Sequence, residues 1–371
     1  MERFGSGRIS SQPMVMKPLI TVAIPHYKHR RFLEAVLESL FEQEYENFEI
    51  VVSDDSSPDD SRQIIPQLLD ASGRVYQYFY QEKNLGYDGN VRFCLRAARG
   101  RYVLLLGNDD ALASPTTLTE IASALAELDF PQVAFTSFED WQTGQVVRRA
   151  RSTALLGEGV DCAIEYFRTF SFVSGLIFDQ SEALRHETNR WDASVYYQIF
   201  LAARILASGG RLASIGVSAV RKDVRVNGQT VENYASRAAN FPWSFQSRHS
   251  GLDSVIRVTT DGIKSLVPAS QQSSLVRRIA SQVLRITYPF WLFEYRRTAN
   301  WSSAVGIARG MWPGKLLKEY KLSFGDALYL WTLYAVVTTL GLIIPTTVFN
   351  RLKTNLSDLV RRKQQRPVAI A

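Results

Sequence analysis

The sequence predicts an α/β fold: a mostly parallel sheet covered by helices on both faces over residues 18–240, then a mainly helical, basic and apolar region over 241–371. Three observations carry this expectation. Short apolar runs alternate with helix-period segments from Leu19 to Leu106. Residues 1–240 hold 25 Lys and Arg against 30 Asp and Glu, whereas residues 241–371 hold 18 against six. The stretch Ala327–Asn350 contains no charged residue.

Leu19 to Pro25 reads as a buried strand, β-rich and ended by a proline that cannot donate to a ladder. Phe32 to Phe41 follows with Phe32, Leu33, Val36, Leu37, Leu40 and Phe41 on one helical face. Phe48 to Val52 is a second strand, closed by Ser53-Asp54-Asp55-Ser56-Ser57-Pro58 before a helix near Ser61 to Leu69. Val75 to Tyr80 is a third strand, Gly86 to Arg99 a helix and Tyr102 to Leu106 a fourth strand. Such alternation implies right-handed crossovers and a parallel sheet. Beyond Phe138 the pattern loosens: Val160 to Phe172 suits a helix, Phe172 to Phe178 a strand and Val195 to Ala207 a helix closed by Gly209-Gly210. Residues 1–17 have no element signal and are expected to be flexible.

With 371 residues, 46% of them apolar and 21% charged, the chain has the composition of a folded domain and not of a disordered one. Cys94 and Cys162 are the only cysteines and have neither metal-ligand nor disulfide-scaffold spacing, which suits a reducing compartment. Residues 1–18 lack the apolar core of a secretory signal. A cytoplasmic location is therefore expected. The basic C-terminal region suits an anionic membrane surface better than nucleic acid, given its apolar content. Ala327–Asn350 is long enough for a hydrocarbon core of about 30 Å. Gly341 and Pro345 interrupt it and Lys or Arg flank both ends, so a span, a re-entrant or interfacial helix and a buried core helix all remain open. Tyr288 to Phe293, Trp301, Trp312 and Trp331 supply aromatics of the kind found at headgroup depth.

Ligands of open α/β sheets gather beyond the carboxyl ends of the strands. Two acidic clusters stand there: Asp54 and Asp55 after the second strand, Asn108, Asp109 and Asp110 after the fourth. Capping by Ser56, Ser57 and Asp59 leaves Asp54 and Asp55 for a ligand. Two adjacent carboxylates at Asp109 and Asp110 repel, and a Mg²⁺ or Mn²⁺ ion completed by phosphate oxygens would relieve this. No Gly-x-Gly-x-x-Gly and no P-loop follows a strand, which excludes the usual dehydrogenase and NTPase patterns. His26, His29, His186 and His249 are not at zinc-ligand spacing and read as ordinary histidines.

The ordered motifs Ile24-Pro25-His26-Tyr27, Phe48 to Ser57, Asn84-Leu85-Gly86 and Leu106 to Asp110 resemble the family 2 glycosyltransferases over about residues 18–210. The resemblance implies a GT-A fold, a nucleotide-diphosphate sugar donor, a divalent cation and inversion at the anomeric carbon. Matched by position, Asp54 binds the nucleobase and Asp55 lies at the nucleoside. Asp109 is the metal-binding last acid of the DxD motif, with Asp110 as its helper. Pro25 and Tyr27 belong to the nucleoside loop. Gly86, Asn90 and Arg92 lie near ribose and diphosphate, Arg92 neutralising phosphate charge, and Asn108 joins the donor site. Gly107-Asn108-Asp109-Asp110 with Gly86 to Asn90 is also similar to the abequosyltransferase-like branch, which decorates bacterial surface polysaccharides. A glycan acceptor is thus expected, and the basic, apolar C-terminal region with its aromatics suggests that a polyprenyl-linked glycan would be reached there.

Two positions depart from the family pattern. Gly107 replaces the first acid of DxD, and Tyr197-Gln198 stands where the catalytic acid pair belongs. Asp192 is the nearest upstream acid and is expected as the base, with Asp179 and Glu187 as alternatives. A nucleotidyltransferase also uses paired acids on such a sheet but wants a Gly- and Lys-rich first loop. A catalytically silent sugar-nucleotide or glycan binder would account for Gly107 and Gln198.

Overall fold

The computed structural model describes residues 7–9, 19–231, 251–298 and 301–348. In chain order the elements are β1 (Gly7–Ile9), β2 (Ile20–His26), α1 (Arg30–Phe41), β3 (Phe48–Asp54), α2 (Ser61–Ala71), β4 (Tyr76–Tyr80), α3 (Gly86–Ala97), β5 (Tyr102–Leu105), β6 (Ala111–Leu112), α4 (Thr117–Glu127), β7 (Val133–Asp140), β8 (Val146–Val147), β9 (Ala154–Gly157), α5 (Gly159–Tyr166), β10 (Leu176–Asp179), α6 (Gln180–Arg185), α7 (Tyr197–Ala207) and β11 (Leu212–Lys222). The C-terminal helices are α8 (Leu252–Ile263), α9 (Gln272–Gln282), α10 (Tyr288–Thr298), α11 (Trp301–Gly310), α12 (Gly314–Glu319) and α13 (Phe324–Ile343). A π-helical turn, Val283–Thr287, joins α9 to α10.

The strands lie in the order β1-β4-β3-β2-β5-β10-β7-β11-β6, with β8 on β7 and β9 on β11. The pairs β4-β3, β3-β2 and β2-β5 are parallel, as is β7-β11. β10 is antiparallel to both β5 and β7, so these two strands still point the same way. Six strands are therefore co-oriented, and the expected parallel sheet becomes a mixed one by insertion of β10 and by short antiparallel edge strands. β10 starts only at Leu176, four residues later than the sequence suggests, because Gly175 turns the chain with φ +80. Before that turn the buried guanidinium of Arg149 collects the carbonyls of Thr169 (3.2 Å), Phe172 (2.7 Å) and Ser174. These carbonyls are thereby lost to any ladder.

Alternation along the strands loads both faces of the sheet. Ile20, Val22 and Ile24 pack with Leu33, Val36 and Leu37 of α1, Ile65 and Leu69 of α2, and Leu118, Ile121 and Leu125 of α4. Ala23, Val103 and Leu105 face the other way, toward α3, α5 and α7. That second core runs on without a break into Leu252, Val255, Ile279, Leu284, Tyr288 and Leu292 of the C-terminal helices. The division expected at residues 240/241 lies outside the described residues. Within the segment 1–17, expected to be flexible, Gly7–Ile9 forms β1 and pairs antiparallel with Gln77–Phe79.

Candidate active site

The carboxyl ends of β2, β3 and β4, with the loop after β5, meet at one rim and are stitched together by side chains. Ala23 O accepts from Leu106 N and His26 O from Asp55 N, so odd-numbered residues of β2 face β5. Pro25 thus stands where β5 has already ended, and its missing N–H leaves no gap in a ladder. Tyr27 follows with its ring 43% exposed, at the mouth of the site.

His26, dismissed from sequence as an ordinary histidine, is the hub of this rim. Asn108 Nδ2 lies 3.1 Å from Lys28 O, a pure acceptor, which fixes the amide as a donor, and 3.0 Å from His26 Nδ1. Nδ1 of the imidazole therefore accepts, and Nε2–H donates to Ser61 Oγ at 2.9 Å. Ser61 Oγ passes its proton toward Asp59. Burial lowers the His26 pKa to about 4 against the pull of Asp54 and Asp59, so the ring is neutral at pH 7. One neutral imidazole thus joins the β2 loop, the start of α2 and the acidic loop after β5. No spacing rule signals it, since its partners lie 35 and 82 residues away.

Asp54 and Asp55 diverge. Asp54 is fully buried, with Oδ1 accepting from Ser57 N (2.8 Å) and Oδ2 from Tyr78 OH (2.8 Å). Each oxygen holds the loop with one bond and keeps a further lone pair, the acceptor that the expected nucleobase contact requires. Asp55 accepts from Leu85 N at 2.5 Å, and its backbone carbonyl accepts from Asn84 Nδ2 at 2.8 Å. Desolvation raises the Asp55 pKa to about 6, against the N–H groups of Leu85 and Gly86. Gly86 opens α3 at φ +72, where a side chain is strained. Asn90 donates to Ser53 O at 2.9 Å and to His26 O at 3.4 Å, tying β2 to β3 from beneath. Its Oδ1 is buried with no partner among the described residues.

The two acids after β5 also part. Asp110 is buried, with Oδ2 accepting from Ser174 Oγ (2.5 Å) and Oδ1 from Asp223 N (3.0 Å). Its pKa rises to about 7, first through desolvation and then through Asp109. Asp110 thereby anchors the loop to Ser174, ahead of β10, and to Asp223, at the end of β11. Asp109 is half-buried beside it. Gly107 explains the lost first carboxylate: a Cβ there would lie 3.1 Å from Asp109 Oδ1, 3.1 Å from Asp110 Oδ2 and 3.2 Å from Ser174 Oγ. Its own N–H donates to Ser174 Oγ at 2.9 Å. No group of three or more metal-type side chains occurs among the described residues. A divalent ion here would hold to Asp109 and complete its shell with phosphate oxygens and water, which is how Mg²⁺ is usually bound.

Arg92 and Asp192, expected at the diphosphate and at the acceptor, are bonded to each other. Arg92 Nη2 lies 2.6 Å and Nε 3.1 Å from the two oxygens of Asp192, while Nη1 lies 3.1 Å from Glu187. Arg92 is thus shared between two acids, and each Asp192 oxygen already accepts one bond from it. Gln198 is buried with Oε1 unpartnered among the described residues. Glu187 also takes Arg96, at 2.6 Å. Asp179, the remaining alternative base, caps α6 through Ser181 N and Glu182 N.

Asp88 was overlooked as well. It is buried in α3, and its carboxylate accepts from Val195 N (2.8 Å) and Tyr197 N (3.1 Å), capping α7 from another helix. Tyr196 has no side-chain cap of its own to offer there.

A mixed sheet with its ligand rim at the parallel strand ends is the architecture of nucleotide-sugar-dependent GT-A proteins, and solved structures agree on the fold. The chain superposes on S. aureus TarS residues 1–349 in complex with UDP-GlcNAc with a TM-score of 0.60 at 14% identity, covering 86% of this chain and 90% of that one. Residues 21–174 match the family described as glycosyl transferase family 2, so the chain carries a family 2 glycosyltransferase domain. Among curated relatives, the GalNAc(5)-diNAcBac-PP-undecaprenol beta-1,3-glucosyltransferase of Campylobacter jejuni is 31% identical over 107 residues, 29% of this chain and 35% of that protein. The abequosyltransferase RfbV of Salmonella typhimurium is 35% identical over 97 residues, 26% of this chain and 29% of that protein. The match thus spans about a third of the length of such relatives.

Proposed function

We propose that the chain is a glycosyltransferase that moves a sugar from a nucleotide-diphosphate sugar to a hydroxyl of a lipid-linked glycan, with inversion, in the building of a bacterial surface polysaccharide. The observation that carries this is the family 2 match over residues 21–174, supported by the rim where the His26–Asn108, Asn90–Ser53 and Asn84–Asp55 bonds tie together the ends of β2 and β3, the start of α3 and the loop after β5. Named relatives act on undecaprenol-linked sugars, which supports a polyprenyl-linked acceptor at the cytoplasmic face of the membrane.

In this mechanism Tyr27 offers a ring to the base, and Asp55, fixed by the start of α3, accepts from the nucleoside. Asp109 would hold a Mg²⁺ or Mn²⁺ ion, which would supply charge stabilisation at a diphosphate leaving group. Asp54, Asp110 and Asn108 keep these groups in place. Arg92 orders the 187–196 segment over α3. Stabilisation of the leaving group then supplies most of the rate, since base catalysis typically contributes only about 10²–10⁴-fold.

The test is a thermal-shift screen of nucleotide sugars with and without Mn²⁺, followed by hydrolysis of the ligand that binds. Metal-dependent stabilisation by one donor, with slow hydrolysis, is expected; no shift with any donor overturns the assignment. A second reading, a sugar-nucleotide binder without turnover, is favoured by the occupied Asp192 and by Gln198. Stabilisation without hydrolysis or transfer would select it.

A further inference from the structure

The helix α13, Phe324–Ile343, is the one described helix long and apolar enough to cross a membrane. Its surroundings argue for a different placement. It runs side by side, and in the same direction, with the continuous helix formed by α9, the π-turn and α10. Arg277 pairs with Asp326 at 2.7 Å, Arg285 meets Tyr329 OH, and Tyr288 OH meets Thr338 Oγ1 at 2.8 Å. At the far end Arg296 Nη1 donates to Gly341 O (2.6 Å) and Ile344 O (2.7 Å), satisfying carbonyls that a helix terminus leaves open. Gly341 allows this approach, because a Cβ there would collide with Leu292. The helix is tied at both ends and between to its neighbour, through three of that neighbour's five arginines.

A transmembrane placement would draw Arg277, Arg285 and Arg296 toward hydrocarbon together with the helix they hold, at a steep desolvation cost. The opposite face asks for apolar cover instead: Phe324 is 83% exposed, Leu328 55%, Val336 50%, Leu340 51% and Ile343 72%. These five fall on one side, away from buried Leu330, Tyr334 and Gly341. Trp312, half-exposed, sets its ring edge-on against Trp331 of α13 at 4.4 Å, and exposed Arg309, Lys315, Lys318 and Lys321 precede the helix. An apolar strip with an exposed indole and a basic approach is complementary to an anionic lipid surface and to its headgroup region.

We propose that α13 lies in the plane of the membrane interface and docks the chain on an anionic bilayer through Phe324, Leu328, Val336, Leu340 and Ile343, without crossing it. The proposal rests on the membrane-face part of the function given above and specifies its geometry. Docking leaves the Arg296 contacts with Gly341 and Ile344 on the protein side and puts exposed Arg285, beside Tyr329, at the edge of the face, where headgroup phosphates lie.

The experiment is flotation of the full chain with vesicles of phosphatidylcholine alone or with 30% phosphatidylglycerol, in the wild type and in Leu328→Glu/Val336→Glu. Carbonate extraction of native membranes runs beside it. The expected result is flotation with anionic vesicles, at least fivefold weaker with neutral ones. The double variant should bind at least tenfold more weakly at an unchanged urea midpoint, and carbonate should release the protein. Resistance to carbonate would show a span and overturn the proposal, as would unchanged binding by the variant. Absence of vesicle binding, with a dimer that the variant disperses, would assign the face to a second copy and overturn it too. If the double variant does not fold, Leu340→Glu replaces it. The donor thermal shift, measured on the same preparations, keeps a failed docking surface distinct from a failed transferase assignment.

Discussion

Replacing Gly107 by Asp restores the first acid of the family motif and, on this structure, destabilises the protein. The Cβ would sit 3.1–3.2 Å from three oxygens, those of Asp109, Asp110 and Ser174. To make room, the Asp109, Asp110 and Ser174 side chains must give by a few tenths of an ångström, which strains or breaks the bonds of Ser174 Oγ to the carboxylate of Asp110 (2.5 Å) and the N–H of Gly107 (2.9 Å). Loss of a hydrogen bond to a charged group costs about 1.5–3 kcal/mol. The new carboxylate then lies close to two others, and one like-charge pair at about 4 Å costs on the order of 4 kcal/mol at an effective dielectric near 20. Solvent and rearrangement absorb part of this. Gly107→Ala, which brings the crowding without the charge, should cost about 1–2 kcal/mol and Gly107→Asp about 3–5 kcal/mol. Urea denaturation at pH 7.5 measures both, and the Asp variant should recover part of the loss on addition of Mn²⁺ or at lower pH. A Gly107→Asp protein as stable as the wild type would refute the steric account and leave the glycine unexplained.

Asp109→Ala should lower donor turnover by about two orders of magnitude or more while the urea midpoint stays near that of the wild type; wild-type turnover would remove the metal assignment. Asp192→Asn should reduce kcat less than tenfold, because both oxygens of Asp192 are already held by Arg92; a loss of 10²-fold or more would reinstate it as the base. His26 titrates at about 4 folded against 6.5 ordinarily, so the folded state binds fewer protons in that window. Its stabilisation is complete above about pH 6.5 and is lost as the pH falls toward 4, by about 2 kcal/mol between pH 7.5 and 5. The difference in unfolding free energy between wild type and His26→Gln should shrink by that amount, and a constant difference would contradict the neutral ring. Asp88→Ala should cost about 2–3 kcal/mol by uncapping Val195 N and Tyr197 N; a change below 0.5 kcal/mol would show that the cap is dispensable.

Periodicity revealed the strands and helices of the first half because each obeys a local rule: Leu33, Val36, Leu37 and Leu40 repeat on one face of α1, and β2, β3 and β5 are buried on both sides. The same local rules could not show that β10 inserts antiparallel between β5 and β7, since strand direction depends on a loop that Arg149 holds by its carbonyls. At the site, residue type and order located the rim. They did not separate Asp54 from Asp55, both buried, or Asp109 from Asp110, because adjacent carboxylates look alike until the fold gives each its own partners: Ser57 N and Tyr78 OH for Asp54, Leu85 N for Asp55. The pairing of Arg92 with Asp192 spans 100 residues, and each was assigned a substrate partner for want of a visible protein one. The uncharged stretch near the C-terminus announced an apolar helix. What it could not announce were the three arginines on another helix that decide how it is oriented.

The cap that Asp88 places on α7 has a consequence for recombination among related enzymes. A helix that begins on a carboxylate borrowed from 107 residues upstream is not a portable part. A chimera that grafts residues 176–222 of this chain onto a relative, to transfer acceptor preference, would bring α7 without the group that starts it. Its first turn would fray unless the segment Gly86–Asn90 travelled too. Exchange points should therefore be chosen by which carboxylates cross them, and the junction that looks natural from the end of the family match at residue 174 severs those of Asp88, Glu187 and Asp192 among others.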